Sequence, residues 1–279
     1  MASRTSKLTR RQLLLAAVAP FERLELTQLH MGTLVRITVE SQNPARAQAA
    51  MKQAFQRIHE LDMRLSNYQP DSEVNHFDPN RVSGDLRPPL ELAHRLTRET
   101  GGAFDPTQTA LFDLWSEARR LKQMPTTEAI AAARSVKSGR LDLGGIAKGY
   151  AADEARRVLQ EAGESRVLIA VSGDLVAGDA PPGHSAWRIA LEPVGQTIAL
   201  RRVGVSTSGD TEQFLEANGK RYSHIIDPRT GLGLTNGVVA SVVARNGMLA
   251  DALATVVCLL GVAEGRRLAR RYGARVYAR

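Results

Sequence analysis

The hydrophobic positions of this chain follow two different periods, one typical of helices and one typical of strands. Residues 45–65 carry Met51, Phe55, Ile58 and Leu61 on one stripe at helical spacing. Further helices are predicted over residues 89–100, 109–122, 126–136, 248–260 and 264–272. Strands are predicted where apolar residues alternate with polar ones or form short runs, over residues 33–40, 167–171, 187–191, 197–202, 204–207 and 276–277.

The order of these elements favours the α+β class. The middle of the chain is rich in strands and the helices come in groups, so strands and helices do not alternate strictly, as parallel βαβ units would require. Residues 222–226 and 238–245 are predicted to pair around the turn at residues 227–231. No linker or internal repeat stands out, and we predict one domain over residues 21–279.

The formal net charge of +8 lies at the two ends of the chain. Residues 1–20 carry +4 and residues 263–279 carry +5, which leaves −1 for the body between them. A nucleic-acid-binding surface needs basic charge across the folded body, so we predict no nucleic-acid partner. No apolar run reaches the roughly 20 residues of a membrane-spanning helix. The only cysteine, Cys258, lies in an apolar helical pattern and is expected to be a small buried side chain.

The first 20 residues have the features of an export signal. Arg10 and Arg11 precede a short apolar stretch and the small residues 16–19. A basic start, an apolar segment of about 8 residues and an A-x-A-like end are typical of signal peptides, and paired arginines are typical of the twin-arginine route. We therefore expect a periplasmic or otherwise exported protein, with association with the inner membrane left open. A basic tail without a targeting role is the alternative.

Residues 140–153 (RLDLGGIAKGYAAD) form the most informative segment. They predict a short apolar strand that leads through two glycines into an amphipathic helix, with Asp142 before the glycines and Lys148 in the first helical turn. Helix N-termini offer unpaired N–H groups and the positive end of a dipole, which attract phosphates. The spacing matches neither the dinucleotide nor the P-loop motif. A plain turn that needs glycine only for its backbone conformation stays an alternative.

Three further side chains could take part in chemistry. Asp251 and Thr255 stand four residues apart, so they share one face of an apolar helix, where a hard cation such as Mg²⁺ would satisfy both. The alternative is that Asp251 lies in the first helical turn and that Thr255 hydrogen-bonds to the carbonyl four residues before it. His224 precedes a tight turn and could be either a base or a structural histidine.

Seven short motifs follow one another along the chain. They are residues 31–33 (MGT), 65–68 (LSNY) with 72–73 (SE), 102–106 (GAFDP), 142–153 (DLGGIAKGYAAD), 206–210 (STSGD), 224–231 (HIIDPRTG) and 251–255 (DALAT). Together they resemble the ApbE family, the FAD:protein FMN transferases, over roughly residues 30–262. Each motif alone is modest, whereas seven in this order are highly specific. Residues 172–174 (SGD) depart from the pattern, since many relatives have two glycines and a polar residue there.

The resemblance implies a fold and an activity. Mixed or antiparallel sheets would pack with helices, and the active site would lie between the two halves of the domain. Members of the family bind FAD and Mg²⁺ and transfer FMN to a Thr, sometimes a Ser, hydroxyl of a partner protein, with release of AMP. The acceptors are flavin-bearing subunits of redox complexes outside the cytoplasm, so FAD and such a subunit are the partners we expect here.

The resemblance also implies roles for single residues. The expected FAD contacts are Met31, Tyr68, Ala103, Phe104, Asp105, Asp142, Lys148 and Ile225, of which the first two would lie beside the flavin and residues 103–105 at the adenine-containing end. The expected Mg²⁺ ligands are Asp251, Thr255 and the main chain of Gly145, where some relatives carry a hydroxyl residue. His224 would be the base for the acceptor hydroxyl.

Two rival functions stay open beside the transferase. An FAD pyrophosphatase would use water in place of the acceptor hydroxyl and would give FMN and AMP. An exported flavin-binding protein without enzymatic activity would bind FAD and produce no AMP.

Overall fold

The structure, a computed structural model, describes residues 19–191, 194–209 and 213–279. The predicted export signal therefore lies almost wholly outside the described residues. The strands within them are β1 (Glu22–His30), β2 (Thr33–Ser41), β3 (Val167–Val171), β4 (Asp174–Ala177), β5 (Trp187–Leu191), β6 (Gln196–Leu200), β7 (Val203–Ser208), β8 (Phe214–Ala217), β9 (Lys220–Ser223), β10 (Ile226–Asp227), β11 (Leu232–Gly233), β12 (Ala240–Ala244) and β13 (Arg275–Ala278). The helices are α1 (Pro44–Leu65), α2 (Arg87–Glu99), α3 (Thr109–Leu121), α4 (Thr127–Ser135), α5 (Ala147–Glu161), α6 (Gly247–Leu260) and α7 (Val262–Arg271).

A seven-stranded sheet forms the centre of the molecule, in the order β1-β2-β3-β4-β7-β12-β13. Every neighbouring pair in it is antiparallel. Helices α1, α5 and α6 pack over one face and build the main hydrophobic core there. The hairpin of β5 and β6 covers part of the other face, where Trp187 and Ile189 pack with Val205 and Val243. The fold is α+β, with antiparallel sheets packed against helices, as the sequence predicts.

Two glycines allow α5 and α6 to pack at very short distance. A Cβ atom on Gly149 would lie 2.2 Å from the carbonyl oxygen of Gly247, and one on Gly247 would lie 2.5 Å from the carbonyl oxygen of Gly149. Asp153, one turn further along α5, accepts hydrogen bonds from the N–H groups of Gly247 and Met248 at 2.8 and 2.9 Å. Because the first N–H groups of a helix have no partner within it, Asp153 fixes the start of α6 against α5.

Helices α3 and α4 and the strand pairs β8–β9 and β10–β11 form a smaller lobe with a core of its own. Trp115 is fully buried in this core, and its Nε1 donates a hydrogen bond to the carbonyl oxygen of Gly231 at 2.8 Å. That bond attaches α3 to the turn between β10 and β11. His224 lies in this lobe, between β9 and β10, whereas Asp251 and Thr255 lie on α6 in the main layer.

Most of the predicted helices and strands are confirmed, with bounds that shift by one to two residues, but the strand predicted just before the two glycines is wrong. Residues 140–143 are irregular. The N–H of Leu141 donates to the carbonyl of Val74, and the N–H of Asp142 donates to the carbonyl of Pro106. The backbone of this segment is therefore hydrogen-bonded to two neighbouring loops instead of to a sheet.

The predicted pairing of residues 222–226 with residues 238–245 is also wrong. All five residues of β12 are buried, and this strand lies between β7 and β13. The turn at residues 227–231 joins only the two-residue strands β10 and β11. None of the helices in the described part of the chain has the length and apolar character needed to cross a membrane.

Candidate functional site

Asp251 is a buried carboxylate that faces the N-terminus of a second helix. Its Oδ2 accepts a hydrogen bond from the N–H of Gly149 at 3.1 Å, and Gly149 is the third residue of α5. Burial raises the pKa of Asp251 to about 7, and repulsion from Asp174 adds to the rise. Because α6 begins at Gly247, Asp251 lies beyond its first turn, so the alternative that the dipole of its own helix explains this residue is wrong.

Lys148 lies in the first turn of α5, as predicted, and its ammonium group is surrounded by oxygen atoms. Nζ donates a hydrogen bond to the carbonyl oxygen of Gly144 at 3.0 Å and lies 3.5 Å from Oδ2 of Asp174 and 3.9 Å from Oδ2 of Asp251. Burial alone would lower the pKa of Lys148, but the two carboxylates outweigh burial and raise it. The group therefore stays charged at neutral pH. The side chain is 30% exposed, so an anionic ligand has access to it.

The main chain at Gly145 lies directly beside Thr255. A Cβ atom on Gly145 would be 3.1 Å from Oγ1 of Thr255 and 3.5 Å from the ring of Phe104. Thr255 follows Asp251 by one helical turn on the same face of α6, and its Oγ1 is 3.4 Å from Oγ of Ser208. The structure thus brings the three predicted metal ligands, Gly145, Asp251 and Thr255, into one cluster.

Asp142 connects the glycine loop to two other loops. Its Oδ1 accepts a hydrogen bond from the N–H of Gly144 at 2.7 Å, and its Oδ2 accepts one from the side-chain amide of Asn67 at 2.9 Å. Its own N–H donates to the carbonyl of Pro106 at 2.8 Å. Burial raises the pKa of Asp142, and the hydrogen bond from Gly144 partly counteracts that rise. The bond from Asn67 attaches the loop that follows α1 to the glycine loop.

Two predicted flavin contacts, Met31 and Tyr68, lie outside the helices and strands, one between β1 and β2 and the other after α1. Met31 forms the turn between β1 and β2 together with Gly32, and both have a positive φ. The N–H of Met31 donates to Oδ2 of Asp62 on α1 at 2.7 Å, which attaches the turn to the helix. Tyr68 follows α1 and is 85% exposed. An exposed aromatic ring of this kind can stack on a planar ligand.

Residues 103–105 pass beside the glycine loop. Ala103 and Phe104 are buried, and the Phe104 ring lies against Gly145. The carboxylate of Asp105 accepts hydrogen bonds from the N–H of Thr107 and from the side chain of Gln108, so it shapes its own loop. These residues therefore offer a ligand mainly their main chain and the edge of this loop.

His224 is exposed and follows β9. Its Nδ1 is 3.2 Å from the carbonyl oxygen of Gln213, which also accepts the N–H of His224 at 3.1 Å. Since a carbonyl oxygen can only accept, the proton of the neutral ring belongs on Nδ1, and Nε2 is then the basic nitrogen. The next residue, Ile225, is buried in the same core as Phe104 and α6. The structure brings Ile225 to the main layer, and the carbonyl oxygen of Gln213 accepts hydrogen bonds from both the ring and the N–H of His224.

The donor atoms of Asp251, Thr255 and Gly145 would suit a Mg²⁺ ion that takes part of its ligands from a substrate. This cluster offers hard oxygen donors only: the carboxylate of Asp251, the hydroxyl of Thr255 and the main chain of the glycine loop. Mg²⁺ is usually bound by one or two carboxylates together with phosphate oxygens and water. A side chain at Gly145 would fill the space beside Thr255, so glycine keeps the main chain accessible. No three His, Cys, Asp or Glu side chains of the described residues converge on a possible metal position.

Comparison with known proteins gives the same family as the sequence motifs. The model of the ApbE family matches residues 31–278. The chain belongs to the ApbE family. An FAD:protein FMN transferase of Klebsiella pneumoniae (strain 342) is 30% identical, over 88% of this chain and 81% of the relative. That of Vibrio cholerae serotype O1 is also 30% identical, over 92% and 87%. The predicted family is confirmed, and the names of these relatives agree with the predicted enzyme class.

Solved structures of ApbE proteins share the fold. The flavin transferase ApbE from Vibrio cholerae superposes with a TM-score of 0.81 at 27% identity, over 92% of this chain and 93% of that chain. The apo form of flavinyl transferase ApbE from Pseudomonas stutzeri gives a TM-score of 0.79 at 28% identity, over 92% and 90%. These structures confirm the α+β prediction.

Three residues of this site have no role in the sequence-based prediction. Asn67 binds Asp142, Ser208 contacts Thr255, and Asp174 pairs with Lys148. Asn67 and Ser208 lie inside motifs on which the family resemblance rests. Asp174 is the last residue of the segment 172–174 (SGD), where the sequence departs from the family pattern. Asp210 of the STSGD motif lies outside the described residues.

Proposed function

We propose that this chain is a Mg²⁺-dependent FAD:protein FMN transferase that moves the FMN part of FAD onto a Thr or Ser hydroxyl of a partner protein and releases AMP. The observation that carries this proposal is the cluster of Asp251, Thr255 and Gly145 at the N-terminus of α5. A carboxylate, a hydroxyl and glycine main chain meet there beside the ammonium of Lys148. Such a site suits a pyrophosphate with its Mg²⁺ ion. The names of the relatives support flavin as the rest of the substrate.

The residues of the site would first bind and orient FAD. The ammonium of Lys148 would hold the pyrophosphate by charge and hydrogen bonding, and the positive end of the α5 dipole would add to this attraction. Met31 and Tyr68 would lie beside the flavin ring, and the loop at residues 103–105 beside the adenine end. Asp251, Thr255 and the main chain of Gly145 would hold a Mg²⁺ ion, which would neutralise phosphate charge.

In the chemical step the acceptor hydroxyl oxygen forms a bond to the phosphorus of the FMN phosphate. The bond from that phosphorus to the bridging oxygen breaks, and AMP leaves with this oxygen. The hydroxyl proton passes to Nε2 of His224, whose Nδ1 remains bound to the carbonyl of Gln213. A positioned base of this kind contributes roughly 10²–10⁴-fold in rate.

The decisive experiment incubates the full chain with FAD, Mg²⁺ and candidate exported flavoprotein subunits. We expect mass spectrometry to find one FMN on a Thr or Ser of the acceptor, with an equal amount of AMP. AMP that forms equally fast without any acceptor would indicate the FAD pyrophosphatase instead. FAD binding without AMP in any reaction would indicate a flavin-binding protein, and both of these outcomes contradict the proposal.

Two variants test the assigned roles separately. His224→Gln should bind FAD as the unaltered chain does and transfer FMN roughly 10²–10⁴-fold more slowly, because only the base is lost. Asp251→Asn keeps the shape of the side chain and should lose the Mg²⁺-dependent activity. Full flavinylation of the acceptor by either variant contradicts the role given to that residue.

We also propose that the protein acts outside the cytoplasm, on a subunit of an extracytoplasmic redox complex. The support is the basic start, the twin arginines Arg10 and Arg11 and the apolar stretch after them. Residues 1–25 fused to a reporter should direct it to the periplasm. A reporter that stays in the cytoplasm contradicts this part of the proposal.

A further inference from the structure

Asp174 is a buried carboxylate that the proposed reaction does not yet use. It begins β4 directly after the two-residue turn between β3 and β4, and its side chain is 3% exposed. Val176, two residues further on, packs in the core beneath the helices. Because side chains alternate along a strand, Asp174 points to the same face, towards α5 and α6.

One oxygen of Asp174 has no hydrogen bond within the described residues. This atom, Oδ2, lies 3.5 Å from Nζ of Lys148, a distance that makes an ion pair without a hydrogen bond. A buried carboxylate is costly unless an opposite charge accompanies it. Lys148 is the cation that pairs with Asp174 here, so the two residues depend on each other.

Two carboxylates lie within ion-pair distance of the ammonium group of Lys148. Its Nζ is 3.5 Å from Asp174 and 3.9 Å from Asp251, and it donates its hydrogen bond to the carbonyl of Gly144. Asp174 comes from the sheet, Asp251 from α6 and Gly144 from the glycine loop. The ammonium group is therefore attracted both by Asp251, which the metal would use, and by Asp174, which it would not.

We propose that Asp174 is a positioning residue that keeps the ammonium of Lys148 off Asp251, so that the Asp251 carboxylate stays available to a divalent cation. This inference rests on the proposed Mg²⁺ site. Without the charge of Asp174, the carboxylate of the described residues that lies within ion-pair distance of Nζ of Lys148 is Asp251, at 3.9 Å. The ammonium then moves onto the ligand and competes with the cation.

The test measures Mg²⁺ binding to the full chain by calorimetry, with the protein first freed of metal and no FAD present. Asp174→Asn keeps the size of the side chain and should raise the Kd for Mg²⁺ by roughly 10–100-fold, the usual effect of losing a partner behind a metal ligand. Asp174→Glu restores the charge and should recover most of the affinity. A Kd for Asp174→Asn within about twofold of the unaltered chain overturns the inference.

A double-mutant cycle separates this role from a general effect of charge or folding. In a Lys148→Met background there is no ammonium to displace, so adding Asp174→Asn should leave the Kd for Mg²⁺ unchanged. An equal loss of affinity in both backgrounds would show that Asp174 acts without Lys148, which overturns the inference. The double variant also replaces the pair by neutral groups, so it provides the answer even where Asp174→Asn alone does not fold.

Asp179→Asn is the matched control. Asp179 lies five residues further along the same chain segment and pairs with Arg202, away from the site. Its loss removes the same charge and should leave Mg²⁺ affinity unchanged. If the unaltered chain binds no Mg²⁺, the proposed metal site itself fails, and this inference fails with it. If the unaltered chain binds Mg²⁺ and Asp174→Asn binds it equally well, only the positioning role fails.

Discussion

A single methyl group on Gly149 should separate the two helices that form the site. The Cβ atom of Gly149→Ala would lie 2.2 Å from the carbonyl oxygen of Gly247 and 2.9 Å from Cβ of Asp251. Non-bonded carbon atoms need about 3.5–4.0 Å, so α5 and α6 must move apart by roughly 1 Å. The hydrogen bond from the Gly149 N–H to Asp251, 3.1 Å in length, is lost in this movement.

The expected net effect of Gly149→Ala is a loss of about 3 kcal/mol in the free energy of unfolding. Overpacking in a core costs about 1–3 kcal/mol. Leaving the buried Asp251 carboxylate without its N–H donor costs about 1–3 kcal/mol more. The better helix propensity of alanine returns about 1 kcal/mol. We also expect weaker Mg²⁺ binding, because Asp251 loses the donor that orients it.

Urea denaturation followed by circular dichroism measures the change in stability, and calorimetry measures the change in Mg²⁺ affinity. Gly84→Ala is the control, since Gly84 has no positive φ and its added Cβ would meet no atom within 4 Å. That variant should be as stable as the unaltered chain or more stable by up to about 1 kcal/mol. If Gly149→Ala behaves like Gly84→Ala, the close packing of α5 on α6 is wrong, and so is the argument for Asp251.

Three other variants test separate parts of the structure. Burial raises the pKa of Asp153 to about 6, so the folded chain keeps a proton there that the unfolded chain has lost, and stability falls as the pH rises from about 4 to 6. Asp153 contributes about 3 kcal/mol to this drop. Urea denaturation across that pH range should therefore show a drop that is larger by about this amount for the unaltered chain than for Asp153→Asn; equal profiles contradict the assignment. Gly145→Ala places a methyl group 3.1 Å from Oγ1 of Thr255 and should weaken Mg²⁺ binding in calorimetry while changing stability by less than about 1 kcal/mol; unchanged affinity would show that the main chain there is not a ligand. Trp115→Phe leaves the carbonyl of Gly231 without its donor and should lower the free energy of unfolding by about 1–3 kcal/mol without changing Mg²⁺ affinity, and a loss of Mg²⁺ binding would contradict the separation of the two lobes.

The helices and several strands follow from the sequence because burial on one side imposes a period. α1 and β3 are confirmed in this way, since each buries one stripe or a short apolar run. β1 escapes prediction for the opposite reason. It is one of the two edge strands of the sheet and is exposed along most of its length, so burial imposes little pattern on its sequence. β12 is recognisable as a strand, but its five buried residues require neighbours on both sides, and these come from distant parts of the chain.

In the candidate site, too, local patterns predict some residues, whereas others depend on contacts between distant parts of the chain. Asp251 and Thr255 are predictable because helical spacing places them together. The local pattern predicts the helix start after the two glycines, whereas the role of Gly145 as a ligand is implied only by the family resemblance. The pair of Lys148 with Asp174 depends on α5 crossing β4, which no local pattern encodes. The bond between Asp142 and Asn67 likewise joins residues 75 positions apart.

The charges of the site explain why an otherwise unfavourable arrangement can persist in a folded protein. Asp142, Asp174 and Asp251 bring three carboxyl groups near one ammonium, that of Lys148. Burial and the nearby Asp174 raise the pKa of Asp251, so a charged Asp251 is disfavoured there without a further cation. A divalent cation beside Asp251 compensates that charge, because binding a metal to a carboxylate favours its ionised form. The same cation would then also neutralise the charge of a pyrophosphate, for which the described residues of this cluster offer a single lysine, Lys148. One cation would thus neutralise both the carboxylate charge of the site and the phosphate charge of the substrate. This is the physical reason to expect the flavin nucleotide and Mg²⁺ in the same place.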